Sequence, residues 1–136
     1  MQTNNHHIAQ CCCGDFKINI EGEPKMHGLC HCTDCKKRTG SGFGISSYFS
    51  PDSIKRIEGE NNCYTLFNEE QNHEQKRYFC KNCGSTLYWT ISDRADIIGI
   101  AGGNIINGTM PEPSYSVNDS QRCQWLQLPK TWVVQP

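Results

Sequence analysis

An excess of charge of one sign is missing from this sequence. It carries 13 Lys and Arg residues against 14 Asp and Glu residues, for a formal net charge of −1. Such a balance gives no general attraction to nucleic acid or to an anionic membrane, since both bind basic surfaces. The sequence also lacks a basic stripe interleaved with aromatic residues. We therefore expect a small, nearly neutral partner rather than nucleic acid.

Long apolar runs are missing too. No stretch approaches the roughly 20 apolar residues that a membrane-spanning helix needs, and residues 1–7 have neither the charge nor the apolar segment of an export signal. We expect a cytoplasmic protein with no membrane association. In that reducing compartment, the cysteines, ten in all, are expected to be metal ligands or reactive thiols rather than disulfide partners, the alternative for an exported chain.

A helical period of 3.6 residues is rare, and the dominant period is two. Phe16, Ile18 and Ile20 alternate with polar residues, as in a strand with one buried face. The other predicted strands cover residues 26–32, 43–49, 54–57, 63–67, 77–80, 86–91 and 97–100. Residues 33–39 are predicted to form one short helix, and residues 69–76 an exposed loop or the end of a hairpin. Residues 102–121 are predicted to be mostly loop, and residues 125–132 to dock on the core. These features predict a mostly β fold of short antiparallel strands, in a single domain over residues 1–136 with an ordered core of about 8–134.

Seven of the ten cysteines fall into three clusters. Zn–S bonds of about 2.3 Å hold sulfurs about 3.7 Å apart in a tetrahedral site, so ligands arrive as close pairs. Residues i and i+2 of an extended segment share a face, which pairs Cys11 with Cys13 and turns Cys12 away. Together with the Cys80-x-x-Cys83 pair they predict a closed structural zinc site. The alternative, a redox dithiol at Cys80 and Cys83, lacks the βαβ context of such motifs.

The middle cluster, Cys30-His31-Cys32-x-x-Cys35, supplies only three thiolates. A zinc ion (Zn²⁺) held by three ligands keeps a position open for water or for an incoming thiol, as catalytic sites do. We expect this second zinc to be labile or partly occupied. The same alternation turns His31 outward, away from the sulfurs. In the alternative, a closed structural site, the fourth ligand comes from His27, His31, His73, Cys63 or Cys123.

The remaining candidate residues carry weaker signals. Cys63 lies in an apolar strand pattern and is predicted to be a small buried side chain. His6 and His7 are predicted to belong to a terminal tail. The basic run at residues 36–38, Lys-Lys-Arg, either attracts carboxylates of an anionic substrate or forms a solvated face.

Three motifs together resemble the glutathione-dependent formaldehyde-activating enzyme family, which includes the centromere protein V group. They are Cys-x-Cys-Gly from Cys11, Cys-His-Cys-x-x-Cys-Lys-Lys-Arg-Thr-Gly-Ser-Gly-Phe from Cys30, and Tyr-Phe-Cys-x-x-Cys-Gly-Ser-x-Leu from Tyr78. The resemblance spans roughly Cys11 to Leu128. It implies an Mss4-like twisted β-sandwich, a structural zinc on the first and third motifs, and a second zinc on the middle motif, near the glutathione site.

The resemblance also implies carbon–sulfur chemistry, with S-(hydroxymethyl)glutathione made from glutathione and formaldehyde. We therefore expect a zinc-dependent carbon–sulfur lyase acting on an aldehyde adduct of glutathione or of a similar thiol. The alternatives are a non-enzymatic zinc module that binds protein or nucleic acid, and a methionine sulfoxide reductase that needs Cys123. One departure from the family is that Ser116 and Val117 stand where many relatives carry a His-Ile step.

Overall fold

The computed structural model describes residues 5–136, so the first four residues of the predicted tail lie outside it. Eleven strands and one α-helix are found in this range. The strands are β1 (His6–Gln10), β2 (Lys17–Glu21), β3 (Met26–Cys30), β4 (Gly44–Phe49), β5 (Ile54–Glu58), β6 (Asn61–Asn68), β7 (His73–Cys80), β8 (Thr86–Ile91), β9 (Ile98–Ala101), β10 (Tyr115–Val117) and β11 (Val133–Val134). The helix is α1 (Thr33–Thr39), and short 3₁₀ turns lie at Pro51–Ser53, Gly102–Asn104 and Asp119–Gln121.

The strands form two sheets, which confirms the predicted mostly β class. The small sheet has the order β1-β2-β5, and the large sheet has the order β11-β10-β3-β4-β9-β8-β7-β6. All pairings are antiparallel except those of β10, which runs parallel to both β3 and β11. Within residues 5–136, no helix has the length and apolar character to cross a bilayer.

The core contains buried side chains from both sheets. Phe16, Ile18 and Ile20 are fully buried, as the period of two predicts, and they cluster with Phe49 and Ile100 of the large sheet. Burying a side chain of this size contributes about 1.5–3 kcal/mol. The two sheets are therefore held together by apolar packing in addition to the cysteines at their edge.

The prediction that His6 and His7 belong to a tail is wrong. Both residues lie in β1, which pairs with β2, and the His7 side chain is only 1% exposed. Its ring nitrogens contact Thr109 Oγ1 at 2.6 Å and the Gly22 carbonyl oxygen at 3.0 Å. The strand was missed because one of its inward residues is a histidine, which does not stand out as apolar.

Residues 69–76 lie at the end of the β6–β7 hairpin, and residues 102–121 are mostly loop around β10, in line with the predictions. Two other predictions need correction. Cys63 is exposed rather than buried, because it lies on the edge strand β6. The tail docks through β11, while Trp125 stays 74% exposed. In both cases the exposure of the side chain depends on which distant strands pack against its segment.

A second buried histidine, His27, is held in its neutral form. Its Nε2–H donates to the Pro111 carbonyl oxygen at 2.7 Å, and its Nδ1 accepts from the Ser47 hydroxyl at 2.6 Å. Burial lowers the pKa of His27, and the nearby His7 ring adds to this effect. A neutral imidazole satisfies both hydrogen bonds, so the folded state binds a proton at His27 more weakly than the unfolded state does.

We expect acidification to destabilise the protein through His27. As the pH falls through the ordinary histidine pKa of about 6.5, the unfolded chain gains a proton that folded His27 resists. The free energy of unfolding should then fall by up to about 1.4 kcal/mol per pH unit until the lowered pKa is reached. Urea unfolding of the wild type and of His27→Gln from about pH 7 to about pH 5 measures this, since cysteine protonation affects both proteins equally. Parallel pH profiles of the two proteins would contradict the assignment.

Candidate functional site

The outer cysteine cluster joins the two sheets. Cys11 directly follows β1 of the small sheet, and Cys80 ends β7 of the large sheet. The Sγ–Sγ distance is 3.7 Å from Cys11 to Cys13 and 3.6 Å from Cys13 to Cys80. With Cys83, the four sulfurs lie within 4.8 Å of one another. This spacing matches the roughly 3.7 Å of a tetrahedral zinc site, so the donor set fits zinc.

Backbone N–H groups point toward these sulfurs. Phe16 N–H donates to Cys11 Sγ at 3.2 Å, and the N–H groups of Asn82 and Cys83 donate to Cys80 Sγ at 3.4 and 3.5 Å. Hydrogen bonds of this kind favour the thiolate. The Ser85 hydroxyl, 3.3 Å from Cys83 Sγ, is the main cause that lowers the pKa of Cys83 to about 5. Burial and the neighbouring thiols Cys80 and Cys11 instead raise the pKa of Cys13 to about 11, because four thiolates this close repel one another without a cation.

Glycines allow both loops of the outer cluster to turn. Gly14 has φ of +86° and Gly84 has φ of +82°, values that side chains rarely adopt. The turn at Gly84 lets its N–H bond the Cys80 carbonyl oxygen at 2.9 Å. Cys12, between the two ligand candidates of its loop, is exposed and stays outside the cluster.

The inner cluster is built where β3 passes into α1. Cys30 ends β3, Cys32 caps the helix, and Cys35 lies in its first turn. Cys32 Sγ accepts the Cys35 N–H at 3.3 Å, and the three sulfurs lie within 4.8 Å of one another. Hydrogen bonds from Cys32 and Cys35 lower the pKa of Cys30, while Cys30 and Cys32 raise the pKa of Cys35. Three thiolates this close repel one another without a cation, so this donor set also fits a metal ion.

Within residues 5–136, no His, Asp, Glu or fourth Cys joins the inner cluster. The five candidates for a fourth ligand have other surroundings. His27 bonds Ser47 and Pro111, and Cys63 and Cys123 belong to neither cluster. His73 lines the cavity beside the cluster but stays outside the sulfur group, with its Nδ1 3.2 Å from an Asp93 carboxylate oxygen. His31 turns away from the sulfurs, as predicted, but into the protein interior, where it is fully buried. The side of the cluster that these groups leave free faces a cavity.

The buried His31 is supported by the segment that departs from the family pattern. Its Nε2–H donates to the Ser116 hydroxyl at 2.9 Å, and that hydroxyl donates to Asp119 Oδ1 at 2.8 Å. Between these two residues, Asn118 has φ of +54° and donates its side-chain N–H to Cys30 Sγ at 3.2 Å. Through its contacts with Cys30 and His31, this segment therefore positions the inner cluster, a role that sequence reasoning missed.

A cavity of about 250 Å³ opens beside the three inner sulfurs. Three aromatic side chains, Tyr48, Trp89 and Tyr115, line it. Trp89 lies over Gly99 and Tyr115 lies over Gly28, where a Cβ atom on either glycine would meet the ring. These strand glycines therefore make room for the aromatic walls. Sequence reasoning missed all three aromatic residues, because strand alternation shows which residues share a face but not which face borders a cavity.

The basic run at residues 36–38 divides between the surface and the cavity. Lys36 Nζ donates to the Gln121 carbonyl oxygen at 2.6 Å, and Lys37 is exposed. Arg38 lines the cavity, with its guanidinium carbon 4.7 Å from the centre of the Trp89 ring. Arg77 of β7, which sequence reasoning did not single out, lines the same cavity. The cavity thus combines sulfur, aromatic rings and positive charge, a combination suited to a small anionic thiol.

All ten cysteines are free of disulfide bonds. Among solved structures, the crystal structure of a Rhodobacter sphaeroides protein is similar, with a TM-score of 0.55 and 20% identity over 76% of this chain and 91% of that chain. At this identity the likeness concerns the fold alone. No curated protein matches the chain. The profile of the glutathione-dependent formaldehyde-activating enzyme family matches residues 6–120. This match spans most of the chain and includes both cysteine clusters, and the chain therefore belongs to the glutathione-dependent formaldehyde-activating enzyme family.

Proposed function

We propose that the protein is a zinc-dependent carbon–sulfur lyase that forms or cleaves the adduct of glutathione with an aldehyde, as S-(hydroxymethyl)glutathione synthase does. Membership of the family supports glutathione-dependent formaldehyde activation in broad terms. The observation that supports the specific lyase reaction is the inner cluster. Its three sulfurs border a cavity, and within residues 5–136 no fourth protein ligand completes the coordination. Three ligands and an open position are typical of catalytic zinc.

The reaction is an addition. The thiol sulfur forms a bond to the carbonyl carbon of the aldehyde, the thiol proton ends on the carbonyl oxygen, and no group leaves. The reverse reaction breaks the same bond and returns the proton. Cys30, Cys32 and Cys35 would hold the zinc, which when bound would supply Lewis acidity and lower the pKa of a coordinated thiol. In this proposal the outer cluster stabilises the fold; its members are Cys11, Cys13, Cys80 and Cys83.

The side chains around the cavity position the two reactants. Holding thiol and aldehyde side by side turns a bimolecular reaction into a unimolecular one, which is the main catalytic demand of an addition. Burial raises the pKa of Tyr48, and it raises the pKa of Tyr115 to about 12. Both phenols therefore stay protonated at neutral pH, and each is available to donate a hydrogen bond to the oxygen of the adduct.

The proposal is tested by exchange spectroscopy on glutathione mixed with ¹³C-formaldehyde. The protein should accelerate the exchange of label between free formaldehyde and S-(hydroxymethyl)glutathione, with a turnover of about 1–1000 per second at saturation. The same mixture without protein gives the uncatalysed rate, and heat-unfolded protein controls for exposed thiols. An exchange rate equal to the uncatalysed one would reject the proposal. A salt-sensitive shift of labelled DNA by the same inactive protein would then favour the non-enzymatic module.

A further inference from the structure

Arg77 is a cation in the cavity without an acidic partner. Its side chain is half-buried on β7, and its Nε–H donates to Gln75 Oε1 at 2.6 Å. It forms no ion pair with any residue in the range 5–136. The guanidinium has five N–H donors, and this neutral acceptor occupies the Nε–H alone. The arrangement leaves Arg77 able to bind an anion that enters the cavity.

A second guanidinium lies beside the same aromatic ring. Trp89 is the residue directly opposite Arg77 in the β7–β8 ladder, and directly opposite side chains lie about 5 Å apart on one face of a sheet. Arg38 stacks on that ring from α1. Arg77 and Arg38 therefore approach the same ring, one from the neighbouring strand and one from the helix. Two guanidinium groups at one ring repel each other, and a shared anion would relieve that repulsion.

The other charged groups around the cavity do not neutralise both arginines. The cavity lining includes one carboxylate within residues 5–136, that of Asp34, which is exposed in the first turn of α1. The His73 ring lies against Asp93 rather than against an arginine. The wall formed by β7 is therefore the part of the cavity with unbalanced positive charge.

We propose that Arg77, together with Arg38, forms a carboxylate-binding subsite for the thiol substrate. The proposal rests on the proposed function, because it places the sulfur of that substrate at the inner cluster. Glutathione is a tripeptide about 10 Å long when extended and has a carboxylate near each end, so one of them lies far from its sulfur. An arginine guanidinium binds a carboxylate through two parallel hydrogen bonds. The substrate class is then a thiol with a carboxylate remote from sulfur, rather than a neutral thiol.

S-methylglutathione is the probe for this subsite, since it keeps both carboxylates but has no free thiol to bind at the cysteines. Isothermal calorimetry measures its Kd for the purified zinc-loaded protein. Arg77→Gln should raise the Kd about tenfold or more, since a lost hydrogen bond to a charged group has an effect of this size. The dimethyl ester of the probe should bind wild type and Arg77→Gln alike. Arg77→Lys should recover part of the affinity, because lysine restores the positive charge but not the paired N–H donors of the guanidinium.

Lys76→Gln is the matched control. Lys76 precedes Arg77 on the same strand, is exposed, and its side chain lies on the opposite face of the sheet. The Lys76→Gln variant should bind the probe as the wild type does, and circular dichroism should show that all variants are folded. Equal affinity of wild type and Arg77→Gln for the probe, or no binding to the wild type at millimolar concentration, would overturn the subsite. If binding depends on Arg77 while the wild type exchanges no formaldehyde, the subsite stands and the proposed function fails.

Discussion

Replacement of Cys80 by serine is expected to remove one equivalent of zinc and most of the folding stability. Cys80 is 1% exposed, and its sulfur lies 3.6 Å from that of Cys13. The site that these sulfurs form connects the end of β1 in the small sheet to the end of β7 in the large sheet. Structural zinc contributes an apparent binding free energy of about 10–16 kcal/mol in small zinc-binding peptides. A domain has a total unfolding free energy of about 5–15 kcal/mol, so this loss is of the same order.

Elemental analysis and urea unfolding followed by circular dichroism measure both parts of this expectation. Cys12→Ser is the matched control, because Cys12 lies between Cys11 and Cys13 but is exposed and outside the cluster. The Cys12→Ser substitution also replaces a thiol by a hydroxyl, and it should alter the free energy of unfolding by no more than about 0.5 kcal/mol. If Cys80→Ser retains the zinc content and the urea midpoint of the wild type, the outer cluster is not the structural metal site.

The outer cluster is the part of the site that could be predicted most completely from the sequence. Its two halves are local motifs, and the positive φ at Gly14 and Gly84 follows the cysteines as the pattern indicates. Metal geometry then links the distant halves without knowledge of the fold, because four close sulfurs are needed around one ion. The buried face of Phe16, Ile18 and Ile20 could be predicted for a similar reason, since a period of two is visible within five residues.

The cavity could not be predicted in the same way. Its walls come from α1, from the β6–β7 hairpin, from β8 and from β10, which lie far apart in the sequence. Strand alternation places Arg77 on one face of β7, but the pairing of β7 with β8 decides that Trp89 lies opposite. That pairing depends on tertiary structure, as does the position of Arg38 above the ring. The sequence therefore predicts the sulfurs of the inner site but not the charge and the aromatic surface around them.

The position of Ser116 shows how a departure from the family pattern fits into the structure. A small hydroxyl there accepts from the buried His31 and donates to Asp119, which also pairs with Arg122 at 3.3 Å. This chain of contacts holds His31 between Cys30 and Cys32 and keeps its ring out of the metal-binding group. The serine hydroxyl thus orients His31, the residue between two of the inner cysteines, while the bond to Cys30 Sγ comes from the neighbouring Asn118.

Replacement of Cys35 by serine is expected to abolish the exchange of formaldehyde with its glutathione adduct while the protein stays folded. The inner cluster would lose one of three ligands and its zinc equivalent, and the exchange rate should fall at least about a hundredfold, toward the uncatalysed rate. The fold should persist because α1 contributes no buried residue and the cluster lies within one β3–α1 connection. The free energy of unfolding should therefore change far less than in Cys80→Ser. Zinc content, exchange spectroscopy and urea unfolding of the two variants provide the comparison.

Cys123→Ser is the control for this experiment, since Cys123 is a half-buried free cysteine outside both clusters. It should keep both zinc equivalents and the exchange rate of the wild type, and an inactive Cys123→Ser would instead point to a thiol outside the metal sites. If Cys35→Ser loses zinc but exchanges formaldehyde at the wild-type rate, the inner cluster has no part in the reaction. If it unfolds as Cys80→Ser does, the inner cluster is structural. The proposal of a structural outer cluster and a catalytic inner cluster requires the two variants to differ, because the outer sulfurs join two sheets and the inner sulfurs border the cavity.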